Sequence, residues 1–258
     1  MNGDELLEIA VEAATHSGEL LRERFESGTE TDVQAKTTPT DLVSQADLAS
    51  ERAIRDLLAA RRPQDGFLGE ESGAETKGTS GVRWVVDPLD GTINFLFGIP
   101  QWCVSIAVED EEGTLAAAIS DPIRGELFTA TREGRPECNG RPLTASTRAS
   151  LSTAMVATGF AYDADVRDAQ AEVLVGVISR VRDVRRFGSA ALDLAWTAAG
   201  RYDAYFERTV KPWDIAAGVL ICRRAGLEVV DLPVHERLPY GILAAPEPLV
   251  APLLDLVG

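Results

Sequence analysis

The segment with the clearest chemical content is an acidic turn that follows a short apolar run. Asp87 closes that run, and Asp90 follows three residues later, directly after Leu89. Two carboxylates at this spacing, together with the Leu89 carbonyl, can converge on one or two hard cations, which take oxygen ligands in proteins. Gly91 then relaxes the backbone, and a short helix from Thr92 would direct free N–H groups at the same point, where an anion can bind. Metal ligands beside an anion site predict a centre that handles phosphate.

Four further acidic positions are candidates, although each also has an ordinary structural explanation. Glu70 follows a short apolar strand in a loop with Gly and Ser, where glutamates are usually solvated. Asp214 falls in the first turn of a helix opened by a proline, where the helix dipole favours an acidic residue. Asp41 and Asp47 flank the start of another helix, where capping accounts for such residues. The segment 87–91 likewise suits a plain type I turn, so spacing alone leaves function and structure open.

Hydrophobic periodicity predicts the elements that must position these residues. It predicts a long amphipathic helix over 3–27, a polar loop over 29–40 and a second helix over 44–60. Strands follow, separated by turn signals, at 66–68, 82–86, 103–108, 114–120 and 126–131. Strands grouped with helices at one end predict an α+β arrangement for residues 1–145, the half that carries most of the candidate metal ligands.

Beyond a Ser/Thr-rich connection at 144–152, strands and helices alternate, which predicts an α/β half over residues 146–258. The predicted strands are 154–158, 184–187, 204–206, 227–230 and 242–244, and the predicted helices are 169–181, 189–199, 212–225 and 247–257. This half carries Asp214 and the candidates for the substrate side of the cleft, which are Gly188, Ser189, Ala190 and Glu207. We expect the halves to form one integrated catalytic unit, layered around a cleft, because clefts between halves are where ligands usually bind.

Composition excludes several classes of protein. The chain has 258 residues, with 41 Asp and Glu against 25 Lys and Arg and a net charge of −16, which argues against binding nucleic acid or anionic membrane through charge. Two histidines, and three cysteines without C-x-x-C spacing, argue against a multi-histidine zinc site, a histidine triad or a disulfide framework. The longest apolar run, 215–222, is too short for a bilayer, and the N-terminus is acidic rather than basic. We expect a soluble, cytoplasmic protein with no membrane partner and no nucleic acid as its main ligand.

Four separated motifs, in order and across nearly the whole chain, resemble the inositol monophosphatase family of magnesium-dependent, lithium-sensitive phosphatases, whose superfamily includes fructose bisphosphatase. The motifs are Lys36…Asp41-Leu42-Val43-Ser44-x-x-Asp47, Gly69-Glu70-Glu71, Asp87-Pro88-Leu89-Asp90-Gly91-Thr92-x-Asn94-Phe95 and Trp213-Asp214-Ile215-Ala216-Ala217-Gly218. The segment 188–194 and Glu207 also match the family pattern. One departure is Ser44, where the family more often has Thr, and it keeps the hydroxyl.

The resemblance implies a layered α-β-α-β-α sandwich of the inositol monophosphatase and sugar phosphatase type, usually a homodimer. It assigns one Mg²⁺ to Glu70, Asp87 and the Leu89 carbonyl, a second to Asp87, Asp90 and Asp214, and a third, weaker ion to the vicinity of Glu70 through water. It assigns phosphate to the N–H groups of Gly91 and Thr92, and the alcohol hydroxyls to Glu207 and the backbone of Gly188, Ser189 and Ala190. Asp214 also borders the substrate, and Lys36 is a candidate in the loop that begins the first motif.

Electrostatics supports this allocation. Carboxylates without cations would repel a phosphate dianion, whereas bound Mg²⁺ reverses the sign and lowers the pKa of a water molecule. We predict that Glu70 and the Thr92 hydroxyl orient and deprotonate that water, with Asp47 behind Thr92. No phosphorylated enzyme is required, which fits the lack of a usable histidine or cysteine nucleophile.

The favoured function is therefore a magnesium-dependent phosphomonoesterase acting on inositol 1-phosphate or a related polyol or sugar phosphate. Fructose bisphosphate, histidinol phosphate and nucleotide bisphosphate are alternatives with the same chemistry. A second phosphate would need cations such as Arg185 and Arg186, whereas Glu207 suits hydroxyls and would repel it. An alternative of another class is a regulatory or scaffold protein that binds an RNA polymerase or a nucleic-acid complex, although such a protein has no need for every metal carboxylate.

Overall fold

The computed structural model describes residues 3–28, 33–35, 42–73 and 75–258. The helices in this part of the chain are α1 Gly3–Ser27, α2 Gln45–Arg61, α3 Thr92–Leu96, α4 Ala164–Ile178, α5 Ala190–Ala198, α6 Pro212–Arg224 and α7 Glu247–Val257. The helices predicted at 3–27 and 247–257 match these bounds at both ends. Among the described helices, not one combines the length and the apolar character that a membrane span requires.

The strands form three sheets. A two-stranded antiparallel sheet consists of β1 Val33–Ala35 and β2 Leu42–Ser44. A seven-stranded sheet, in chain order, consists of β3 Gly66–Gly69, β4 Arg83–Asp90, β5 Cys103–Asp110, β6 Gly113–Asp121, β7 Glu126–Thr131, β8 Glu137–Cys138 and β9 Arg141–Pro142. A five-stranded sheet, in the order β11-β10-β12-β14-β13, consists of β10 Met155–Thr158, β11 Asp183–Arg185, β12 Ala204–Arg208, β13 Glu228–Leu232 and β14 Gly241–Ala245.

Helices and sheets alternate in layers. Helices α1 and α2 pack on one face of the seven-stranded sheet, and α6 packs on the other face with α5 beside it. Helix α5 also contacts the five-stranded sheet, whose other side is covered by α7, and α7 packs against α4. The predicted layered α-β-α-β-α sandwich is therefore confirmed, while the division of the chain at residue 145 stays a prediction.

The central strands of the seven-stranded sheet are buried on both faces. Successive residues of a strand point to opposite sides. On β4, Trp84 and Val86 therefore join the cluster under α1 and α2, whereas Val85 joins the cluster around α5 and α6. This burial explains why the strands read as apolar runs, and it gives the site a rigid base, since each large apolar side chain removed from water contributes roughly 1.5–3 kcal/mol.

Several predicted elements differ from the structure. The helix predicted over 169–181 spans Ala164–Ile178, and the short strands β8 and β9 were not predicted. The loop predicted over 29–40 is wrong at Val33–Ala35, which pairs with Leu42–Ser44 through main-chain hydrogen bonds that a Thr-rich composition does not reveal. The strand predicted to end at 86 continues to Asp90, because the chain passes Pro88 by bulging rather than by turning away. The continuation of β4 to Asp90 sets the geometry of the candidate site.

Candidate active site

A β-bulge brings the two aspartates of the central motif to the same face. Asp87 pairs with Ser105 on β5, and Asp90 pairs with Cys103. Between these two pairs β4 contains one residue more than β5. In a regular strand, residues three apart point to opposite faces, and one inserted residue reverses the second of them. A bulge also accommodates Pro88, which cannot donate to a regular ladder. Asp87 and Asp90 consequently both line one cleft.

The cleft has a volume of about 500 Å³, a size typical of small-molecule sites. Its lining comprises Glu70, Asp87, Leu89, Asp90, Gly91, Thr92, Phe160, Ala161, Tyr162, Asp163, Arg186, Gly188, Ala190, Glu207, Thr209, Val210, Lys211, Trp213 and Asp214. We call Glu70, Asp87, Asp90 and Asp214 the acidic part of the cleft. Arg186, Gly188, Ala190 and Glu207 form what we call the Glu207 part.

Three carboxyl groups of the acidic part, those of Asp87, Asp90 and Asp214, resist ionisation. Burial raises the pKa of Asp87 well above its usual value, and the charges of Glu70, Asp90 and Asp214 raise it further. Burial also raises the pKa of Asp90 to about 6. Burial raises the pKa of Asp214 well above its usual value, and the charge of Asp90 is the second largest cause of that rise. Both causes penalise negative charge, so this part of the cleft favours a bound cation.

Asp90 is held by the start of helix α5. The Ser189 hydroxyl and the Ala191 N–H both donate to Asp90 Oδ2 at 2.7 Å, and Ser189 is fully buried. Ser189 also caps α5 by accepting from the Leu192 N–H. Ser189 was predicted as a substrate contact through its backbone, but it is not among the residues that line the cleft. The Ser189 side chain holds the carboxylate of Asp90, which belongs to the seven-stranded sheet.

Thr92 lies at the first turn of α3, beside a buried aspartate. Its hydroxyl donates to Asp47 Oδ1 at 2.9 Å, while Asp47 Oδ2 accepts from the Ser44 N–H at 2.8 Å. Ser44 and Asp47 thus cap α2, and the same Asp47 carboxylate accepts from Thr92. Gly91 precedes Thr92 with a φ of 97°, and a Cβ there would meet the Gln101 carbonyl, so only glycine suits this position.

Helix α2 supports a second part of the site through a residue that sequence reasoning missed. Glu51 Oε2 accepts from the Glu71 N–H at 2.9 Å and from the Ser72 N–H at 3.2 Å, which shapes the loop that carries Glu70. Glu51 is buried on the same helix face as Asp47, four residues earlier. Two acidic residues at this spacing on an otherwise apolar face were the available signal.

Asp214 and Asn94 connect the remaining segments. Asp214 lies in the first turn of α6, where its Oδ2 accepts from the Lys211 N–H at 2.6 Å. The Asn94 amide donates to the Gln101 and Phe187 carbonyls, each at 2.7 Å, and so ties α3 to the chain just before Gly188. Asn94 belongs to the central motif, but nothing in the sequence indicated this bridging role.

The Glu207 part of the cleft contains one carboxylate and one guanidinium. Burial raises the pKa of Glu207 to about 7, and the hydrogen bond from Tyr205 and the charge of Arg186 oppose that rise. Arg185 differs from Arg186, because it pairs with Asp183 at 2.6 Å and does not line the cleft. Of the two arginines considered for a second phosphate, only Arg186 therefore lines the cleft.

The donor set of the acidic part fits a hard divalent cation. Carboxylate oxygens and the carbonyl of Leu89 are the ligands that Mg²⁺ prefers, and a cation would relieve the repulsion that raises these pKa values. Within the described ranges, no three His, Cys, Asp or Glu side chains are gathered closely enough to surround an ion as they stand. Coordination by this set requires side-chain movement and stays a proposal.

Most of the predicted site residues come together in this cleft. Those that line it are Glu70, Asp87, Leu89, Asp90, Gly91, Thr92, Gly188, Ala190, Glu207 and Asp214. Asp47 lies behind Thr92, at the place predicted for it, although its catalytic role stays a prediction. Lys36 and Asp41 lie outside the described residues.

Comparisons with known proteins cover nearly the whole chain. The model described as the inositol monophosphatase family matches residues 2–251. A protein of Rhizobium meliloti (strain 1021) named inositol-1-monophosphatase is 44% identical over 225 residues, which are 86% of this chain and 83% of that protein. A protein of Escherichia coli (strain K12) named Nus factor SuhB is 42% identical over 248 residues, which are 95% of this chain and 92% of that protein. The crystal structure of the extragenic suppressor protein suhB from Bartonella henselae is similar with a TM-score of 0.90, at 38% identity and 98% coverage of both chains.

Proposed function

The chain belongs to the inositol monophosphatase family, and we propose that it is a magnesium-dependent phosphomonoesterase that hydrolyses inositol 1-phosphate or a related polyol or sugar phosphate. Relatives named for this activity support the reaction class, a phosphoric monoester hydrolase. One observation carries the proposal for this chain. The bulge in β4 directs Asp87 and Asp90 into one cleft with Asp214, where burial and mutual repulsion call for cations.

Glu70, Asp87, Asp90, Asp214 and the Leu89 carbonyl would hold the ions, two or three in number. Bound Mg²⁺ supplies positive charge to the phosphate and lowers the pKa of a coordinated water. This allocation reconciles an acidic cleft with an anionic substrate, because the carboxylates act on phosphate only through the cations that they hold.

Thr92 and Glu70 would position and deprotonate the attacking water. The Thr92 hydroxyl donates its hydrogen bond to Asp47 Oδ1. The lone pairs of Thr92 Oγ1 can therefore accept from a donor in the cleft. A water there would donate one hydrogen to Thr92 Oγ1 and lose the other to the Glu70 carboxylate as its oxygen bonds to phosphorus. The bond from phosphorus to the alcohol oxygen would break in the same displacement, and the departing oxygen would take up a proton from solvent. The N–H groups of Gly91 and Thr92 donate to the phosphate oxygens, which holds the phosphorus in line with that water.

Glu207 would select the alcohol. Its carboxylate accepts hydrogen bonds from substrate hydroxyls, and the backbone of Gly188 and Ala190 borders the same volume. An ionised carboxylate favours polyols and disfavours a second phosphate, whereas Arg186 next to it moderates that repulsion. Inositol 1-phosphate is therefore ranked above fructose bisphosphate, histidinol phosphate and nucleotide bisphosphate.

Three finer properties belong to the same proposal. The enzyme would act as a cytoplasmic homodimer and would be inhibited by lithium, which competes for the most weakly held ion site. The cytoplasmic location rests on the composition of the chain, whereas the homodimer and the inhibition by lithium come from the family resemblance.

A phosphate-release assay with a panel of polyol, sugar and nucleotide phosphates tests the function. We expect turnover that requires Mg²⁺, is abolished by a chelator and is highest on inositol 1-phosphate. Absence of Mg²⁺-dependent turnover on every member of the panel would contradict the proposal.

A regulatory binding protein is the second candidate, because one relative of 42% identity is named a Nus factor. The acidic cleft is complete in this chain, which a purely regulatory role does not require. The same assay separates the two, since a protein that only binds partners would release no phosphate.

A further inference from the structure

Strand β12 carries two polar side chains on the same face. Tyr205 and Glu207 are two residues apart, so they project to the same side of the sheet. The Tyr205 hydroxyl donates to Glu207 Oε2 at 2.9 Å. Tyr205 is fully buried, and burial raises the pKa of its hydroxyl well above the usual value, so it stays a donor. Within the described part of the chain, no residue donates a hydrogen bond to Glu207 Oε1. This oxygen can therefore accept from a ligand.

A glycine directly after the neighbouring strand makes room for the Glu207 carboxylate. Strand β10 runs parallel to β12 with Thr158 opposite Phe206, so the next residue, Gly159, lies beside Glu207. A Cβ at position 159 would overlap Cδ and both oxygens of Glu207. The carboxylate therefore lies flat over Gly159, in volume that the side chain of any other residue would occupy.

We propose that Tyr205 and Gly159 are positioning residues that set where Glu207 meets the substrate alcohol, and thereby admit a cyclic polyol. This inference rests on the proposed function, in which Glu207 binds substrate hydroxyls. Gly159 lets the carboxylate lie back against the sheet, and Tyr205 fixes it there through a charge-assisted hydrogen bond. The cleft then keeps room for a ring beside Glu207, while Oε1 accepts from a ring hydroxyl.

Tyr205→Phe removes only the hydroxyl and tests the first positioning residue. We expect KM for inositol 1-phosphate to rise about tenfold, because a hydrogen bond to a charged group is lost. The kcat on p-nitrophenyl phosphate, whose leaving group carries no further hydroxyl, should stay the same. Tyr202→Phe is the matched control, since Tyr202 is also buried but its hydroxyl lies near Asp193 instead.

A double-mutant cycle separates positioning from general stability. If Tyr205 acts through Glu207, Tyr205→Phe should change KM little in a Glu207→Gln background. Gly159→Ala should raise KM for inositol 1-phosphate more than for the smaller glycerol 2-phosphate, because the displaced carboxylate takes space from a ring. Melting curves identify any variant that fails to fold.

Equal KM values for Tyr205→Phe and Tyr202→Phe, or full additivity with Glu207→Gln, would overturn the inference and leave the proposed function standing. A folded wild-type protein that does not hydrolyse inositol 1-phosphate would contradict the proposed function and this inference with it.

Discussion

The two parts of the cleft are built by different means. In the acidic part, Asp87 and Asp90 come from one bulged strand, so the main chain itself determines where their carboxylates point. In the Glu207 part, the carboxylate is placed by the Tyr205 hydroxyl on its own strand and by the absence of a side chain at Gly159, directly after the neighbouring strand β10. The first arrangement depends mainly on backbone geometry, with the Ser189 hydroxyl holding Asp90, whereas the second depends on individual side chains throughout.

This difference predicts that substitutions in the two parts affect activity in different ways. Under the proposed function, a substitution in the acidic part alters charges that every phosphate substrate needs, so its effect should not depend on the alcohol. A substitution around Glu207 alters only the contacts of the leaving group, so its effect should vary from substrate to substrate. Chemistry and specificity are therefore separable in this cleft.

The largest effect is expected for Asp90→Asn. Loss of this carboxylate should lower kcat/KM about 1000-fold for every substrate, because the charge that holds a cation is lost. The melting temperature should be unchanged or raised, since one of several repelling buried charges is removed. Steady-state kinetics on two substrates and a melting curve check this. A near-normal rate would overturn the assignment, and a loss confined to one alcohol would break the contrast between the two parts.

Thr92→Val should lower kcat about 100-fold on all substrates, because the water loses the hydroxyl that orients it. Thr92→Ser keeps the hydroxyl and is the matched control, with a rate close to that of the wild type. If valine and serine at position 92 give the same rate, the hydroxyl has no part in the chemistry.

Ser189→Ala should weaken Mg²⁺ binding between about 10- and 100-fold, because Asp90 Oδ2 loses one of its two short hydrogen bonds. Isothermal titration with Mg²⁺ measures this without reference to turnover. Thr197→Val controls for loss of a buried hydroxyl from α5, since that hydroxyl bonds only to the Asp193 carbonyl of its own helix. Equal Mg²⁺ affinity in the two variants would argue that Ser189 serves the helix alone.

Glu207→Gln should raise KM about tenfold for inositol 1-phosphate and much less for p-nitrophenyl phosphate, because only the first presents hydroxyls to an ionised acceptor. Kinetics on both substrates give the comparison directly. Equal changes on the two would remove Glu207 from substrate selection and dissolve the distinction between the two parts.

The smallest effect is expected from lithium, which should inhibit partially at millimolar concentration through the acidic part. Inhibition should be the same for inositol 1-phosphate and p-nitrophenyl phosphate, as measured by dose–response curves at fixed Mg²⁺. Insensitivity to lithium would count against a third, weakly held ion near Glu70.

Two members of the acidic part, Asp87 and Asp90, could be predicted together from sequence because their geometry is local, whereas Glu70 and Asp214 were added through the family resemblance. Asp87, Asp90 and Thr92 lie within six consecutive residues, and either a turn or a bulge directs both carboxylates to one side. The bulge itself was missed, because it depends on the register of β4 against β5. Periodicity predicted most of the helices and strands and two halves around a cleft, because it reports which face of each element is buried, whereas the α-β-α-β-α order of the layers came from the family resemblance.

The supporting contacts were not predictable, because each joins residues far apart in the chain. Gly159 and Glu207 become neighbours only when β10 and β12 pair, and Glu51 meets the loop at 71–72 only when α2 docks. Ser189 was placed by resemblance beside the substrate, whereas its hydroxyl contacts Asp90, 99 residues earlier. No local pattern reports such pairings.

That contact between Ser189 and Asp90 also bears on how the protein folds. Closing a loop of this length costs chain entropy before any contact offsets it, and such long-range contacts form slowly. The seven-stranded sheet, in which sequential strands are neighbours, can form from one contiguous stretch of chain, but Asp90 has no Ser189 partner until α5 docks on it. The order of assembly thus keeps the acidic part incomplete in any intermediate that lacks α5, so a partly folded or truncated chain would keep much of its secondary structure without a finished site.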